Sequence, residues 1–325
     1  MILYLYKGDD VMHKFEYNNP LVYQRADPFC YKHTDGYYYF TGTLPHYDGI
    51  EIRKAKTING LTMANSKVIW KKHTTGIMGA HIWAPELHYI DGVWYIYFAA
   101  GEAENIWNIR PFALKCEDAD PINGEWVEMG KIDVGHESFS LDMTTFIHRG
   151  KQYIIWAQSG FMHNDSSLYI ASMKTPTERE SEPYLLTVPE YDWERRGIPV
   201  NEGASVLIRN GKIFVTYSAA NTGSNYCMGL MWCDEDADLL DINSWHKSDV
   251  PVFKSSEENS QFGPGHNSFT TDADRDILIY HSRNYKEIEG DPLDDINRHA
   301  RAKVIEYDDD GFPIFGIPQE DDYTE

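Results

Sequence analysis

The chain has 325 residues and carries 51 acidic against 29 basic side chains, a formal charge of −22 that disfavours nucleic acid and anionic membrane surfaces as partners. Aromatic residues make up 14%, with 22 Tyr and 9 Trp, enough to furnish a core and also to line a sugar-binding surface. None of the four cysteines, Cys30, Cys116, Cys227 and Cys233, sits in a C-x-x-C pair, which points to free thiols in a reducing compartment.

The chain opens on apolar Met1–Tyr6, which Lys7-Gly8-Asp9-Asp10 interrupts before a secretory core of about 7–15 residues is complete. The longest apolar run, Val93–Ala100, falls short of the roughly 20 residues a membrane-spanning helix needs. The expectation is a soluble, cytoplasmic protein with no export signal. A first module then runs from Asp27, in Ala26-Asp27-Pro28, through FCYKHTDGYYYFTG; a second contains HIWAPELHYIDGVWYIYFAAG with Glu86. The third starts at Asp142 in SLDMTTFIHRGKQYIIWAQSG, and the fourth at Glu202 in NEGASVLIRNGKIFVTYSAA. A weaker fifth starts at His266 in GHNSFTT and continues through DILIYH. Each unit reads as a short apolar run, a turn, and a second run rich in aromatic or β-branched residues. The turns at Asp35-Gly36, Asp91-Gly92, Arg149-Gly150 and Asn210-Gly211 mark tight hairpins.

Starts at Asp27, Glu86, Asp142, Glu202 and His266 lie 59, 56, 60 and 64 residues apart, room for about four strands each. No long stretch has the apolar spacing of an amphipathic helix. The expected fold is therefore all-β, a five-bladed β-propeller forming one domain over 1–325, with 1–17 as an N-terminal extension and 318–325 as a tail. A jelly roll would not require the period. Ring closure calls for part of Lys14–Tyr23 to join the last sheet.

A repeat brings equivalent positions to a common axis, so Asp27, Asp142 and Glu202 are expected to converge. Two converging carboxylates are what glycosidic hydrolysis requires, one to protonate the leaving oxygen and one to activate water. Pro28 restrains Asp27 towards extended backbone, which suits a fixed base. Glu202 lies between Val200 and Gly203-Ala204, where partial desolvation would raise its pKa as a proton donor requires. Asp142, set in an apolar strand pattern, could tune and orient Glu202 by like-charge repulsion. Glu86 is read as structurally paired. Trp83 is a candidate floor for a sugar, and His266 a candidate holder of a metal or water in the channel. Asp234–Asp238 and Asp272–Asp276 fail as calcium loops, because Leu239 and Ile277 stand where the loop needs Gly. Neither HExxH nor GxSxG occurs.

Taken in order, ADPFCYKHTDGYYYFTG, HIWAPELHYIDGVWYIYFAAG, FSLDMTTFIHRGKQYIIWAQ, VNEGASVLIRNGKIFVTYSA and FGPGHNSF resemble glycoside hydrolase family 43 from about residue 18 to 317. The resemblance implies a five-bladed propeller and an inverting mechanism with no cofactor required for the chemistry. It gives Asp27 as general base, Asp142 as pKa modulator and Glu202 as general acid. It also implies that His266 contacts a central cation, commonly calcium, through water, and that Arg283 binds sugar. Within the family, WAPELHYIDG, GPGHNSF and IEGDPLDDINRHAR look most like exo-acting α-L-arabinofuranosidases that trim α-1,5-linked arabinan. β-Xylosidases and endo-arabinanases share the three acids and remain alternatives, as does a sugar-binding propeller without turnover. The implied partner is an arabino- or xylo-oligosaccharide, with no nucleic acid or membrane.

Overall fold

A computed structural model describes residues 16–160 and 165–322. Blade 1 comprises β1 (Ala26–Lys32), β2 (Tyr38–Thr43), β3 (Gly49–Ala55) and β4 (Ser66–Lys71), and blade 2 comprises β5 (Ala80–Ile90), β6 (Val93–Gly101), β7 (Arg110–Cys116) and β8 (Val127–Lys131). In blade 3, β9 (Ser140–His148), β10 (Lys151–Gln158) and β11 (Ser167–Thr175) are followed by β12 (Glu178–Arg179) and β13 (Tyr184–Thr187), both paired with β11. Blade 4 has β14 (Asn201–Arg209), β15 (Lys212–Ala219), β16 (Cys227–Asp234) and β17 (His246–Lys247). Blade 5 has β18 (Phe262–Asp272), β19 (Arg275–Arg283) and β20 (His299–Val304), and a short ladder joins β21 (Glu306–Tyr307) to β22 (Pro313–Ile314). These five antiparallel blades form the expected β-propeller. At three of the four foreseen hairpins both turn residues have positive φ, as a two-residue reversal demands: Asp91-Gly92, Arg149-Gly150 and Asn210-Gly211.

The apolar core is divided among the seams between blades. Tyr39, Ile52, Trp94 and Phe98 fill the first seam, and Tyr97, Met143 and Trp156 the second. Ile155, Leu168, Val215 and Tyr217 belong to the third, Phe214, Leu230 and Tyr280 to the fourth. The last seam joins Leu21, Val22 and Phe40 to Ile277, Ile279 and Ala302. Ring closure is thus apolar as well as hydrogen-bonded.

The closing bonds come from the segment before β1. Val22 pairs antiparallel with Ala300 of β20, and the Leu21 N–H donates to the Ala300 carbonyl at 2.7 Å. The Asn19 side chain, itself fully buried, accepts the Ala302 N–H at 2.9 Å and donates to the Ala302 carbonyl at 3.0 Å. Leu21 and Val22 meet the expectation for closure, while Lys14 lies outside the described residues. Part of the expected tail is also tied down: Asp321 pairs with fully buried Arg301 at 2.8 and 2.9 Å, and the Asp322 N–H donates to the Asn19 carbonyl.

Because Asn19 completes both backbone groups of Ala302, Asn19→Ala leaves a donor and an acceptor buried without partners. The expected loss is about 2–4 kcal/mol in chemical denaturation, and a loss under about 1 kcal/mol would show that closure rests on the apolar seam alone.

Candidate active site

Every innermost strand carries the same irregularity. In β1, three residues from Ala26 to Phe29 span two of β2, and the same three-against-two count occurs from Trp83 to Glu86, Leu141 to Thr144, Glu202 to Ser205 and Gly265 to Ser268. These are β-bulges, and the second residue of each is left-handed: Asp27 (φ 50°), Ala84 (46°), Asp142 (53°), Gly203 (56°) and His266 (40°). The bulge corrects the sequence alignment of the repeats. Asp27, Asp142 and His266 are equivalent, whereas Glu202 stands one residue before its blade's left-handed position and Glu86 two residues after, with Ala84 in the place expected for an acid. Each inserted residue shifts the inward alternation, β5 and β18 carrying a second such insertion between Ala80 and Trp83 and between Phe262 and Gly265, and only the pairing with the second strand reveals it.

The left-handed residues meet around the axis. Asp27 Oδ1 lies 3.3 Å from His266 Nδ1, which lies 3.7 Å from Asp142 Oδ2. Asp142 Oδ2 also accepts the Gly203 N–H at 3.1 Å. A Cβ on Gly203 would come within 3.0 Å of the His266 ring, so the bare backbone at this position admits both neighbours. On the far side, the Ala84 N–H donates to Thr43 Oγ at 2.7 Å and the Thr43 hydroxyl donates to Asp27 Oδ2 at 2.5 Å.

Bulges free backbone N–H groups that must find other partners. At three seams the acceptor is the second-strand residue of the preceding blade. Thr43 takes Ala84 N–H, Ser218 takes His266 N–H at 2.7 Å, and His281 Nδ1 takes Asp27 N–H at 3.0 Å. The last bond fixes the state of His281: Nδ1 is an acceptor, and burial pushes the ring's pKa well down, so the imidazole is neutral despite lying 3.5 Å from Asp27 Oδ1.

These surroundings separate the three acids. Burial alone would raise Asp27, but His266, Arg298 at 3.7 Å and the Thr43 hydroxyl outweigh it, and the carboxyl is held down at about 2. Burial pushes Glu202 up to about 7, with the Asp27 charge adding to the rise and the Tyr226 hydroxyl, 2.9 Å from Oε1, opposing it. Asp142 is pushed well above the ordinary carboxylate range by burial and by the charges of Glu202 and Asp27. Asp142 and Glu202 therefore titrate as a pair.

All three acids, with Trp83, His266 and Arg298, line one cleft of about 940 Å³. Trp83 stacks on His81 at 4.3 Å and meets Tyr47 edge-on at 5.5 Å, forming an aromatic wall. Glu86 is absent from the cleft and pairs with His88 at 2.8 Å. Arg283 is corrected as a direct sugar ligand: it is 1% exposed, outside the cleft lining, and donates to the carbonyls of Thr222 and Pro292 at 2.8 and 2.7 Å. It holds two cleft-lining loops, while Arg298 is the arginine beside Asp27. Among the described residues no group of three or more His, Cys, Asp or Glu side chains could hold a metal ion directly. His266 turns Nδ1 to the Asp27 and Asp142 carboxylates, so the residues do not make a direct cation cage. Sequence reasoning missed Thr43, Ser218, Tyr226 and Arg298. Thr43 and Ser218 lie in the small-residue ends that each repeat shows, which is the signal that could have found them.

A five-bladed ring with a carboxylate cluster at a cleft defines a glycosidase-type propeller. The sequence model of glycosyl hydrolases family 43 matches residues 17–313, and the chain belongs to that family. The chain is 50% identical over 311 residues to the "Extracellular exo-alpha-(1->5)-L-arabinofuranosidase" of Streptomyces avermitilis, covering 95% of this chain and 65% of that protein. It is also 50% identical to the protein of the same name from Streptomyces chartreusis, over 85% of each chain, and 48% identical to "Alpha-L-arabinofuranosidase 43" of Humicola insolens, over 95% and 65%. This chain thus spans under two thirds of the Streptomyces avermitilis and Humicola insolens relatives. The crystal structure of an α-L-arabinofuranosidase from Lactobacillus brevis superposes with a TM-score of 0.92 at 49% identity, over 95% of this chain and 99% of that one.

Two of these relatives are named extracellular, which overturns the cytoplasmic location expected from the sequence. All four cysteines are buried and free within the fold, so their free state does not tell an intracellular from an extracellular location.

Glu202 in the folded protein keeps its proton up to about 7, whereas its ordinary value is 4.5. Its contribution to stability is complete below the unfolded value and is lost as pH rises through the folded one. Glu202→Gln is therefore expected to unfold at a higher temperature than the parent at about pH 8, and at nearly the same temperature at about pH 5. Equal differences at the two pH values would contradict the raised pKa.

Proposed function

We propose that this chain is an inverting glycoside hydrolase that releases arabinose from the ends of α-1,5-linked arabino-oligosaccharides, acting outside the cell. The observation that carries the reaction is a carboxylate held down at about 2 and a carboxyl held up to about 7 within one cleft. Environments that drive two acids apart in this way supply a base and an acid at the same pH. Asp27 is the base that deprotonates water, and the water attacks the anomeric carbon. Glu202 protonates the departing oxygen, and Asp142 keeps the proton on that pair until it is needed. Arg298 holds Asp27 ionised, and Trp83 offers the sugar an apolar face. The substrate assignment is supported by the printed names of relatives near 50% identity.

Incubation with α-1,5-arabino-oligosaccharides and with xylo-oligosaccharides, followed by proton NMR, tests the reading. Arabinose is expected, first as the β-anomer because inversion reverses the α-linkage, with xylo-oligosaccharides left intact. An initial α-anomer would refute inversion, and release of xylose would shift the substrate to xylan fragments. Glu202→Gln is expected to lower turnover about 100-fold or more on oligosaccharides and much less on an aryl glycoside whose leaving group needs no proton. The profile of kcat/KM against pH should fall on its alkaline side near 7, as Glu202 and Asp142 lose their shared proton.

A further inference from the structure

Tyr226 stands just before β16, is 1% exposed, and belongs to none of the residue roles above. Its hydroxyl donates to Glu202 Oε1 at 2.9 Å. The ring is fixed independently: it lies parallel to His281, 5° between planes and 5.8 Å between centroids, and a Cβ on Gly265 would reach within 2.6 Å of it. Gly265 therefore leaves the ring the space it occupies.

We propose that Tyr226 is a positioning residue for the proton donor: by donating to Oε1 it leaves Oε2 as the oxygen that carries the proton towards the glycosidic bond. A carboxylic acid bearing one proton on two like oxygens would otherwise present it in either direction. Burial and the neighbouring carboxylates push the phenol's own pKa far upward, so Tyr226 donates throughout the cycle. The inference rests on Glu202 being the acid. The other charged or titratable groups around Glu202 are Asp27 from β1, Asp142 from β9 and Arg298 before β20, with His266 of β18 against the two aspartates.

The test uses Tyr226→Phe, which keeps the ring stack and loses the hydroxyl, with Glu202→Gln measured alongside. A donor to a carboxylate favours the ionised form, so its removal raises the pKa of Glu202. The alkaline limb of kcat/KM is expected to move up by about one pH unit in Tyr226→Phe. The kcat on arabino-oligosaccharides should fall about tenfold with little change in KM, and the kcat on an aryl arabinofuranoside should fall less. An unmoved limb, or equal losses on both substrates, in Tyr226→Phe while Glu202→Gln still discriminates the substrates would overturn the positioning role alone. Equal losses in Glu202→Gln would overturn the acid assignment and this inference with it.

Discussion

The left-handed bulge at the head of each inner strand is the constraint on which both ring and site depend. It spends conformational energy, since a non-glycine residue in this region costs roughly 1–2 kcal/mol and four of the five are not glycine. Asp27 and Asp142 belong to a type that tolerates the conformation, but Ala84 has no polar side chain to help it. The compensation lies at the seams. The N–H of Ala84 is taken by Thr43, that of His266 by Ser218 and that of Asp27 by His281. The bonds that relieve the bulges are therefore the bonds that join consecutive blades, including the seam where the ring closes.

The same bonds orient charge. Thr43 accepts the Ala84 N–H, which commits its hydroxyl proton to Asp27, and the Tyr226 hydroxyl is committed to Glu202. At the seams following blades 2 and 3, the second-strand residues opposite the bulges are Ala99 and Ala157. Neither can serve as a relay, and both are packed into the apolar core. The Gly203 N–H goes to Asp142 instead, so this carboxyl is anchored by backbone while it stays uphill in pKa.

Much of this was legible in the chain. Gly turns and the period near 60 residues are local signals, and they gave five blades because each blade buries its faces only against its neighbours. The three acids were legible for the same reason. The one-residue offset of Glu202 and the vacancy at Ala84 were not, because a bulge is defined by a partner strand and has no composition of its own. Arg283 and Arg298 are both arginines near the end of the chain, and sequence cannot tell which guanidinium is spent on carbonyls. Arg283 is consumed by Thr222 and Pro292, whereas Arg298 reaches Tyr47 and Asp27.

The offset of Glu202 has its own chemical logic. A residue in the left-handed position is drawn into the axial contacts, as Asp27, Asp142 and His266 are, and its carboxyl is tied up by imidazole, hydroxyl or backbone N–H. Asp27, held by imidazole, guanidinium and hydroxyl, is drawn down in pKa, and a proton donor held by that many donors would be drawn down in the same way. Placing Glu202 one residue earlier puts it in the same ring of positions as cleft-lining Trp83 and Leu141, and gives the left-handed slot to Gly203. Glu202 is left with the single hydroxyl of Tyr226 among its side-chain bonds, and burial then decides its pKa. Asp27 and Glu202, the proposed base and acid, thus differ because one bulge presents its second residue and another its first.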